Sequence, residues 1–494
     1  MRTAAVLYLN GRRVVVPPEQ SGMMLSDFLR YERSLVGTKV VCAEGDCGAC
    51  SVLRYVPSAK KEVRYLPINS CIITVGQCDG TSLVTVDALA KDEALSPVQS
   101  AMVNAHGSQC GFCTPGFVVA LTGLVEKKLC AGVRSGACSA REAKNATTGN
   151  LCRCTGYQPI IDAATAIDLA KCESVAARYF SKPQAADLRK IRAEALRIET
   201  DAISFFAPRK IADAAKALAK DPEWRLLGAA TDLGVAVNKG KTRLPKILSL
   251  HLVDELYAVK ATAKRVTVGA RVTLSELRHA VMDRVPEFAR FLDLFASPQI
   301  KNSATLVGNV ANASPIGDTP PFLLVAGAVL HVVGPRAKRK IPLEKFYLGY
   351  RRTALKRGEL IAAIEFDVPA ATESLALFKT SQRKDLDISA VNAAFRIEWA
   401  NRERTKIKSA RIAFGGVAAT PIRGFAAEKA LAGKTPTPET LESALGALHG
   451  AITPMTDLRG TSAFRRVLVE NLFAKFFREH SPSSAVGNGA SAPR

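Results

Sequence analysis

Three closely spaced cysteines near the start of the chain constrain what this sequence can fold into. Cys42, Cys47 and Cys50 are separated by four and then two residues, and Cys71 follows after twenty more. This is the ligand spacing of a plant-type [2Fe-2S] cluster. A loop that supplies three thiolates over so short a stretch has to turn sharply, and we predict that these four cysteines hold such a cluster.

The glycines of this loop support the same prediction. Gly45 and Gly48 allow the backbone to come close to a negatively charged cluster and to point N–H groups at it. Two alternatives are four reduced cysteines in a loop and a structural zinc site. Zinc sites usually take paired Cys-x-x-Cys knuckles, and in this loop only Cys47 and Cys50 form such a pair.

Four further cysteines form a second constellation. Cys110 and Cys113 make a Cys-x-x-Cys pair, and Cys152 and Cys154 follow it after 38 residues. By itself this spacing is ambiguous between zinc and an iron–sulfur cluster. The plant-type loop upstream favours a second [2Fe-2S] cluster, held where two helix-end loops come together.

All twelve cysteines lie between Cys42 and Cys172. This concentration marks a metal-binding region in a reducing compartment, since a disulfide scaffold would be shorter and secreted. Four cysteines lie outside the two sets: Cys78, Cys130, Cys138 and Cys172. We interpret them as small buried side chains, and an exposed loop is the alternative for Cys130 and Cys138.

The formal net charge of +23 is unevenly distributed. Residues 181–494 carry 49 Lys and Arg against 30 Asp and Glu, whereas residues 1–180 carry 19 against 15. A basic surface can bind nucleic acid, but the sequence has no zinc-finger, RNP-like or clustered basic-helix motif, so an acidic partner subunit or anionic cofactors fit better. No apolar run approaches a membrane span or a signal peptide, and we expect a cytoplasmic protein.

The first eighty residues have the pattern of short strands around one helix. A helix is predicted around Phe28, where apolar residues have helical spacing. The strands are predicted at residues 6–10, 13–16, 51–55 and 63–66.

From about residue 81 the pattern becomes helical. Ser96 before Pro97, and Thr114 before Pro115, each place an N-cap residue ahead of a proline in the first helical position. Gly107 can end the helix that Ser96 begins.

Three strings around the cysteines resemble the two-cluster iron–sulfur domain of the molybdenum hydroxylases, whose best-known member is xanthine dehydrogenase. The strings are residues 42–50 (CAEGDCGAC), 109–116 (QCGFCTPG) and 149–157 (GNLCRCTGY). The resemblance implies a ferredoxin-like β-grasp fold around the first cluster and a four-helix bundle around the second. It also implies that Gln109 contacts the molybdopterin held by a neighbouring domain.

Two features depart from the pattern of that family. Val41 stands where the family usually has glycine. The 38 residues between Cys113 and Cys152 are more than usual, and we interpret the excess as a loop insertion around residues 130–138.

The later part of the chain has the pattern of an α/β domain. A predicted helix at 213–219 and strand at 225–227 precede a turn of small residues, 228–233, whose backbone N–H groups could cradle a diphosphate. A polar string at 295–318 suggests a backbone folded closely around a ligand, with a plain surface loop as the alternative. Neither a P-loop nor a Gly-x-Gly-x-x-Gly motif is present.

These strings resemble the flavin-binding domain that follows the iron–sulfur domain in the same family, a domain of the PCMH/vanillyl-alcohol-oxidase type. Residues 383–388 resemble the charged loop that flanks the flavin and NAD site. Alanine at 229 and 230 and valine at 307 replace glycines that are common in relatives. Matched residue by residue, the resemblance implies FAD contacts from Leu226, Leu227, Gly228, Ala229, Ala230, Thr231, Asp232 and Leu233, and from Phe295, Thr305, Gly308, Asn309, Asp318, Ile361 and Lys379.

We therefore predict a multidomain α+β chain. A strand is expected at 409–418 in its last domain. The predicted divisions are a plant-type ferredoxin-like domain (1–80), a helical [2Fe-2S] domain (81–172), a linker (173–198), an FAD-binding domain (199–375), a C-terminal α+β flavoprotein subdomain (376–480) and a disordered tail (481–494).

The resemblance implies an electron-transfer subunit with no catalytic residue of its own. A separate molybdenum-binding large subunit would oxidise hypoxanthine to xanthine and xanthine to urate, and electrons would pass through two [2Fe-2S] clusters to FAD and NAD⁺. No segment of this sequence resembles the molybdenum domain, so we expect that domain on a separate subunit, and the resemblance implies an assembly of two small and two large subunits. The alternatives are the same role in a molybdenum hydroxylase that acts on aldehydes or nicotinate, and a zinc-stabilised basic binding protein.

Overall fold

The computed structural model describes residues 1–57, 63–92 and 94–482. Within this described part, no helix is long and apolar enough to cross a membrane. The chain divides into two compact units. The first comprises Met1–Glu255, Thr273–Ser275 and Ala296–Thr305; the second comprises Leu256–Val272, Glu276–Phe295 and the described part of Leu306–Arg494.

The first unit begins with a five-stranded mixed sheet of order β2-β1-β5-β3-β4. Strand β1 pairs antiparallel with β2 and parallel with β5, the arrangement expected of a β-grasp fold. The predicted helix is confirmed as α1 (Leu25–Asp27) followed by a π-helical turn (Phe28–Glu32), and it buries Phe28 completely. The strands are β1 (Val6–Leu9), β2 (Arg12–Val15), β3 (Ser51–Tyr55), β4 (Leu66–Asn69) and β5 (Ser82–Val84).

The strand predicted at residues 63–66 is wrong in position, because β4 begins only at Leu66. Val63 and Tyr65, which gave the strand-like alternation, pack into the core of the helical domain instead. The Tyr65 side chain is fully buried there and its hydroxyl lies 2.7 Å from Ser82 Oγ. The alternation therefore reflects burial against helices rather than strand pairing.

Four helices form the predicted bundle. Helix α2 packs against α3 and α5, and α4 packs against α3 and α5, so the four helices close into a ring. The insertion predicted around 130–138 coincides with the loop between α3 and α4. The helices are α2 (Pro97–Asn104), α3 (Thr114–Cys130), α4 (Ala140–Thr147) and α5 (Gln158–Thr165).

The helix starts were predicted with mixed success. Ser96 is confirmed as an N-cap, since its Oγ accepts a hydrogen bond from the Gln99 N–H at 3.3 Å. The N-cap predicted at Thr114 is wrong: α3 already includes Thr114, and Cys113 occupies the cap position. The Thr114 hydroxyl instead shares a 2.7 Å hydrogen bond with Ser108 Oγ.

The segment predicted as a linker is mostly helical. It contains α6 (Val175–Tyr179) and α7 (Lys182–Ala193), with Ser181 as the N-cap of α7. Helix α7 packs its Leu188 side chain against strand β1 of the first sheet. Residues 173–193 therefore add a packed layer to the ferredoxin-like part.

A four-stranded sheet of order β6-β7-β9-β8 completes the first unit. It shares one hydrophobic core with the ferredoxin-like sheet, in which Phe28 and Phe205 are both fully buried. The strand predicted at 225–227 is confirmed as β8. The elements are β6 (Leu196–Glu199), β7 (Ser204–Ala207), α8 (Ile211–Lys220), β8 (Arg225–Leu227), α9 (Leu233–Asn238) and β9 (Lys246–Ser249).

The second unit contains a five-stranded sheet of order β10-β11-β16-β12-β13, the hairpin β14-β15 and a four-stranded sheet of order β17-β18-β19-β20. Its strands are β10 (Val259–Ala261), β11 (Arg265–Gly269), β12 (Val329–Val333), β13 (Lys338–Pro342), β14 (Tyr347–Gly349), β15 (Arg352–Thr353), β16 (Leu360–Asp367), β17 (Glu373–Thr380), β18 (Val391–Trp399), β19 (Ile407–Gly415) and β20 (Ile422–Arg423).

The helices after residue 273 are short, apart from the last. These helices are α10 (Leu274–Val281), α11 (Pro286–Leu294), α12 (Pro298–Lys301), α13 (Leu306–Ala311), α14 (Pro320–Val325), α15 (Phe425–Leu431), α16 (Pro438–His449) and α17 (Ser462–His480). Of these, α12 belongs to the first unit. Short 3-10 helices lie at Pro18–Gly22, Ser70–Ile72, Val75–Cys78, Val86–Ala88, Leu169–Lys171, Asp254–Tyr257 and Leu343–Lys345.

The last sheet packs on α17 through phenylalanine side chains. The ring centroids of Phe395 on β18 and Phe476 on α17 are 5.1 Å apart, and both side chains are fully buried. The strand predicted at 409–418 is β19, shifted by two to three residues. Of the tail predicted to be disordered, residues 483–494 lie outside the described residues.

Candidate metal centres and flavin site

The first cysteine loop folds around its own sulfur atoms. The backbone N–H groups of Glu44 and Cys47 both donate to Cys42 Sγ at 3.4 Å. Ala43 and Gly45 have φ angles of 54° and 77°, which bring the chain around in a left-handed turn. Hydrogen bonds from backbone N–H groups to a thiolate favour its charged form, as a metal ligand requires.

The four predicted ligands of the first set lie together as interacting thiols. Cys42 is hydrogen-bonded to Cys47 and Cys71, and Cys50 is hydrogen-bonded to Cys71. These hydrogen bonds hold the pKa of Cys42 and Cys50 below the ordinary thiol value and raise the pKa of Cys47 and Cys71. The structure thus brings together the four cysteines that the sequence predicts as ligands of the first cluster.

The second half of the first unit supports this loop. Asn238, at the end of α9, donates from Nδ2 to the carbonyl oxygens of Ala43 and Cys71, both at 2.7 Å. Lys239 Nζ lies 3.0 Å from Glu44 Oε2. A side chain at Gly45 would lie 2.9 Å from Ile300 of α12. Residues beyond the ferredoxin-like part therefore help to hold the ligand loop.

The second cysteine set joins the start of α3 to the loop between α4 and α5. Cys113 is hydrogen-bonded to Cys152, and Cys154 to Cys110. Burial, with the Cys152 contact, raises the pKa of Cys113 to about 12. Burial acts in the same direction on Cys152, but hydrogen bonds from Thr155 outweigh it and lower the pKa of Cys152.

The loop of the second set has its own turn geometry. Gly111, Gly156 and Tyr157 have positive φ angles of 81°, 67° and 70°. The Tyr157 hydroxyl accepts a hydrogen bond from the Cys152 N–H at 3.0 Å. Gln109, the residue matched to a pterin contact, is exposed at the surface beside Cys110.

Each set offers four cysteine thiols, and a [2Fe-2S] cluster needs two thiolates on each of its two irons. In the first set Cys42 contacts Cys47 and Cys71, and Cys71 also contacts Cys50. Within residues 1–57, 63–92 and 94–482, no three His, Cys, Asp or Glu side chains are arranged to hold one metal ion.

The remaining cysteines lie outside these sets. Cys78 and Cys138 are buried, as interpreted from the sequence, whereas Cys130 and Cys172 are half-buried. Burial raises the pKa of Cys78 to about 12, so this side chain is an unreactive thiol.

In the first unit, the predicted pyrophosphate loop connects β8 to α9. Ala230 has a φ of 64°, so the chain turns sharply in this loop. A side chain on Gly228 would approach Thr305 Oγ1 to 4.0 Å, and Thr305 is itself buried. The loop 226–233 and Thr305, matched to FAD separately in the sequence, therefore lie next to each other.

In the second unit, three of the residues matched to FAD gather around one ion pair. Lys379 Nζ lies 2.6 Å from Asp318 Oδ2 and 6.0 Å from the centroid of the Phe295 ring. Ser389 Oγ and Asn392 Nδ2 donate to Asp318 Oδ1 at 2.5 and 3.1 Å. Sequence reasoning missed Ser389 and Asn392; the polar Asn392 at the start of an apolar strand was the available signal.

The other matched residues of this unit lie at separate positions. Asn309 Oδ1 accepts a hydrogen bond from the Thr319 hydroxyl at 2.6 Å, directly beside Asp318 in sequence. Gly308 is exposed on α13, and Ile361 is buried in β16. The assignment of all these residues to FAD remains a prediction.

Three family models match the chain in order. They are the [2Fe-2S] binding domain over residues 85–165, the FAD binding domain in molybdopterin dehydrogenase over residues 200–370, and the CO dehydrogenase flavoprotein C-terminal domain over residues 376–480.

Individual relatives extend this match. Xanthine dehydrogenase 1 of Arabidopsis thaliana is 29% identical over 96% of this chain and 39% of its own length, and aldehyde oxidase 1 of Bos taurus is 27% identical over the same shares. The chain thus spans 39% of the length of these curated relatives. The solved structure of reconstituted CO dehydrogenase from Oligotropha carboxidovorans is 26% identical with a TM-score of 0.52, over 56% of this chain and 97% of that one.

These domains and relatives fit the iron–sulfur and FAD-binding chain of a molybdenum hydroxylase. The chain is similar to this class of oxidoreductases over all three matched domains. Its similarity extends to xanthine dehydrogenases, an aldehyde oxidase and a CO dehydrogenase, so the class is wider than any one substrate.

Proposed function

We propose that this chain is the electron-transfer subunit of a xanthine dehydrogenase. A partner subunit that carries molybdopterin would oxidise hypoxanthine and xanthine, and this chain would pass the electrons to NAD⁺. When bound, two [2Fe-2S] clusters and FAD would supply the change from single-electron to hydride chemistry. The 29% identity to a plant xanthine dehydrogenase over nearly the whole chain supports this choice of substrate.

One observation carries the proposal: two complete four-cysteine sets lie in the same compact unit as the predicted pyrophosphate loop. The side chain of Asn238, six residues after Asp232 in that loop, donates to the Cys71 carbonyl at 2.7 Å. A side chain at Gly234 would lie 2.3 Å from the carbonyl oxygen of Ile72, the residue after the fourth ligand. The first ligand set and the loop proposed to bind FAD are thus built against each other.

The residues around the second set suit a partner subunit. Cys110 and Gln109 are exposed, and apolar side chains next to them are also open to solvent. Phe112 is 49% exposed and Tyr157 is 40% exposed. Exposed aromatic side chains beside a redox site favour a docking surface, and we assign this surface to the molybdopterin-carrying subunit.

The test compares the chain with and without that partner. The purified chain should oxidise NADH with an artificial electron acceptor and fail to oxidise xanthine. Addition of the co-purifying molybdenum subunit should restore xanthine-dependent reduction of NAD⁺, in a complex whose mass corresponds to two copies of each subunit. Xanthine oxidation by this chain alone would contradict the proposal.

A second candidate keeps the same carriers with another substrate. The 27% identity to a bovine aldehyde oxidase favours an aldehyde as the alternative. The reconstituted complex should therefore be offered xanthine, an aldehyde and nicotinate in parallel. Turnover of an aldehyde or of nicotinate with none of xanthine would replace the first candidate by this one.

A further inference from the structure

The two ligand loops touch through their backbones. A side chain on Gly48 would lie 2.2 Å from the Gly149 carbonyl oxygen, and one on Gly116 would lie 2.4 Å from the Gly48 carbonyl oxygen. All three glycines are buried. No side chain separates the loop of the first cysteine set from the segments that carry Cys113 and Cys152.

A hydrogen bond connects the two loops at this contact. The Leu151 N–H donates to the Cys47 carbonyl oxygen at 3.0 Å. Cys47 belongs to the first set, and Leu151 directly precedes Cys152 of the second set. The predicted ligands Cys47 and Cys152 are therefore connected through this hydrogen bond and the backbone of Leu151 alone. This is a short connection of the kind that electron transfer between two centres needs.

Gln299 of α12 holds this contact from outside both iron–sulfur domains. Its side chain is fully buried. Its Nε2 donates to Asn150 Oδ1 at 2.8 Å and to Ser51 Oγ at 3.3 Å. Asn150 Nδ2 and Ser51 Oγ in turn donate to the Gly48 carbonyl oxygen, at 3.3 and 2.7 Å. Gln299 thus connects Asn150, which precedes Leu151, to Ser51, which follows Cys50.

The Gly149 backbone packs directly against the Gln299 side chain. A side chain added at position 149 would lie 2.0 Å from Gln299 Oε1. The amide is therefore confined on one side by backbone and on the other by the two groups to which it donates. A buried side chain with fixed hydrogen bonds on both loops can hold their spacing.

We propose that Gln299 is a positioning residue for electron transfer between the two clusters: through Asn150 and Ser51 it keeps the Leu151 N–H on the Cys47 carbonyl oxygen. The inference rests on the proposed function. With clusters bound, the second cysteine set would hold the electron donor and the first set the acceptor, and a single electron would pass between them. No bond is made or broken and no proton moves.

The test uses the full chain and two matched variants. Gln299→Leu removes the amide with little change in size. Gln77→Leu is the control, because Gln77 is also a buried glutamine of the first unit, but it hydrogen-bonds within its own turn, to the Thr74 N–H at 3.3 Å. Amide hydrogen exchange of a peptide containing Leu151 is measured first. Cluster-to-cluster equilibration is then followed after a pulse of viologen radical, a one-electron reductant, together with the iron content and the reduction potential of each cluster.

In Gln299→Leu we expect exchange at Leu151 to be about tenfold faster, since a buried hydrogen-bond network is lost. Equilibration should be slower, with iron content and both potentials unchanged, and Gln77→Leu should equilibrate like the wild type. Unchanged equilibration in Gln299→Leu would overturn the inference. If that variant does not fold, Asn150→Asp gives the same reading, because it can accept from Gln299 but no longer donates to Gly48. A wild-type chain without iron would contradict the proposed function itself, whereas normal iron with unchanged equilibration contradicts only this inference.

Discussion

Lys379 and Asp318 form a buried ion pair in the second unit, with Nζ 2.6 Å from Oδ2 and side chains only 3% and 7% exposed. Both residues were matched to FAD contacts from the sequence. Burying two charges is costly unless every group is paired, and here Ser389 and Asn392 supply the remaining hydrogen bonds of the carboxylate.

Replacement of Asp318 by Ala should lower the FAD content. The variant leaves the Lys379 ammonium buried without its counter-charge, which costs about 3–5 kcal/mol locally. The iron–sulfur absorbance should persist, because both cysteine sets lie in the other unit. The measurement is the ratio of FAD to iron in the purified protein.

Glu373→Ala is the matched control for that variant. It breaks another largely buried ion pair of the same unit, Glu373–Arg396 at 2.6 Å, outside the predicted flavin residues. We expect it to destabilise the second unit while FAD is retained. Equal loss of FAD in both variants would show that Asp318 acts through folding alone.

Replacement of Cys71 by Ser should remove one cluster and spare the other. Iron should fall from about four to about two per chain, because each [2Fe-2S] cluster carries two irons. Cys110→Ser should remove the other paramagnetic signal. Cys78→Ser is the control, since Cys78 is fully buried outside both sets; loss of a cluster signal there would contradict the ligand assignment.

The stability of the first unit should depend on Asp79 at low pH. The Asp79 carboxylate oxygens Oδ1 and Oδ2 accept hydrogen bonds from Arg2 Nη1 and Nη2 at 2.6 and 2.5 Å. Oδ1 also accepts a hydrogen bond from the Val6 N–H at 2.7 Å. Burial would raise its pKa, but hydrogen bonds from Arg2 and His251 outweigh burial and lower the pKa below its ordinary value. The stabilisation is therefore fully present above about pH 4 and is lost as the pH falls through the folded-state pKa.

Asp79→Asn should reduce the free energy of unfolding by about 3–5 kcal/mol at neutral pH, because one partner of a buried pair is removed. Urea unfolding at pH 7 and at steps down to about pH 2 measures this, and the difference between variant and wild type should shrink as the pH falls through the lowered pKa of Asp79. The control is Asp187→Asn, which breaks the exposed pair with Arg13 and should change stability by no more than about 1 kcal/mol. A constant difference over this pH range would contradict the role of the Asp79 carboxylate.

Gln109→Ala tests the surface assigned to the molybdenum subunit. In the reconstituted complex it should slow cluster reduction by xanthine more than cluster reduction by NADH, since NADH electrons enter from the flavin side. Gln99→Ala is the control, because its side chain caps α2 by accepting from the Ser96 N–H at 2.9 Å. Equal slowing of both routes in Gln109→Ala would remove this residue from the subunit boundary.

Local patterns predicted which cysteines lie close together. The spacing of the eight cysteines identified sets that the structure brings together, since ligands close in sequence have few ways to surround a cluster. The N-cap at Ser96 and the strand β8 were also confirmed, because both depend on neighbouring residues. The error at Thr114 is of the same local kind: Cys113 already occupies the cap.

Long-range packing was beyond the sequence patterns. Residues 63–65 gave a strand-like alternation because Tyr65 is buried in the helical core. Residues 173–193 looked like a linker because their charges hide the apolar face of α7 that packs on β1. Gln299 lies 149 residues from its partner Asn150, and no local signal marks such a contact.

The most direct test of the account is electron paramagnetic resonance of the purified chain after anaerobic reduction with dithionite. We predict two distinct [2Fe-2S] signals, one abolished by Cys71→Ser and the other by Cys110→Ser. Zinc bound in stoichiometric amount, with no signal on reduction, would contradict the assignment of this chain to electron transfer.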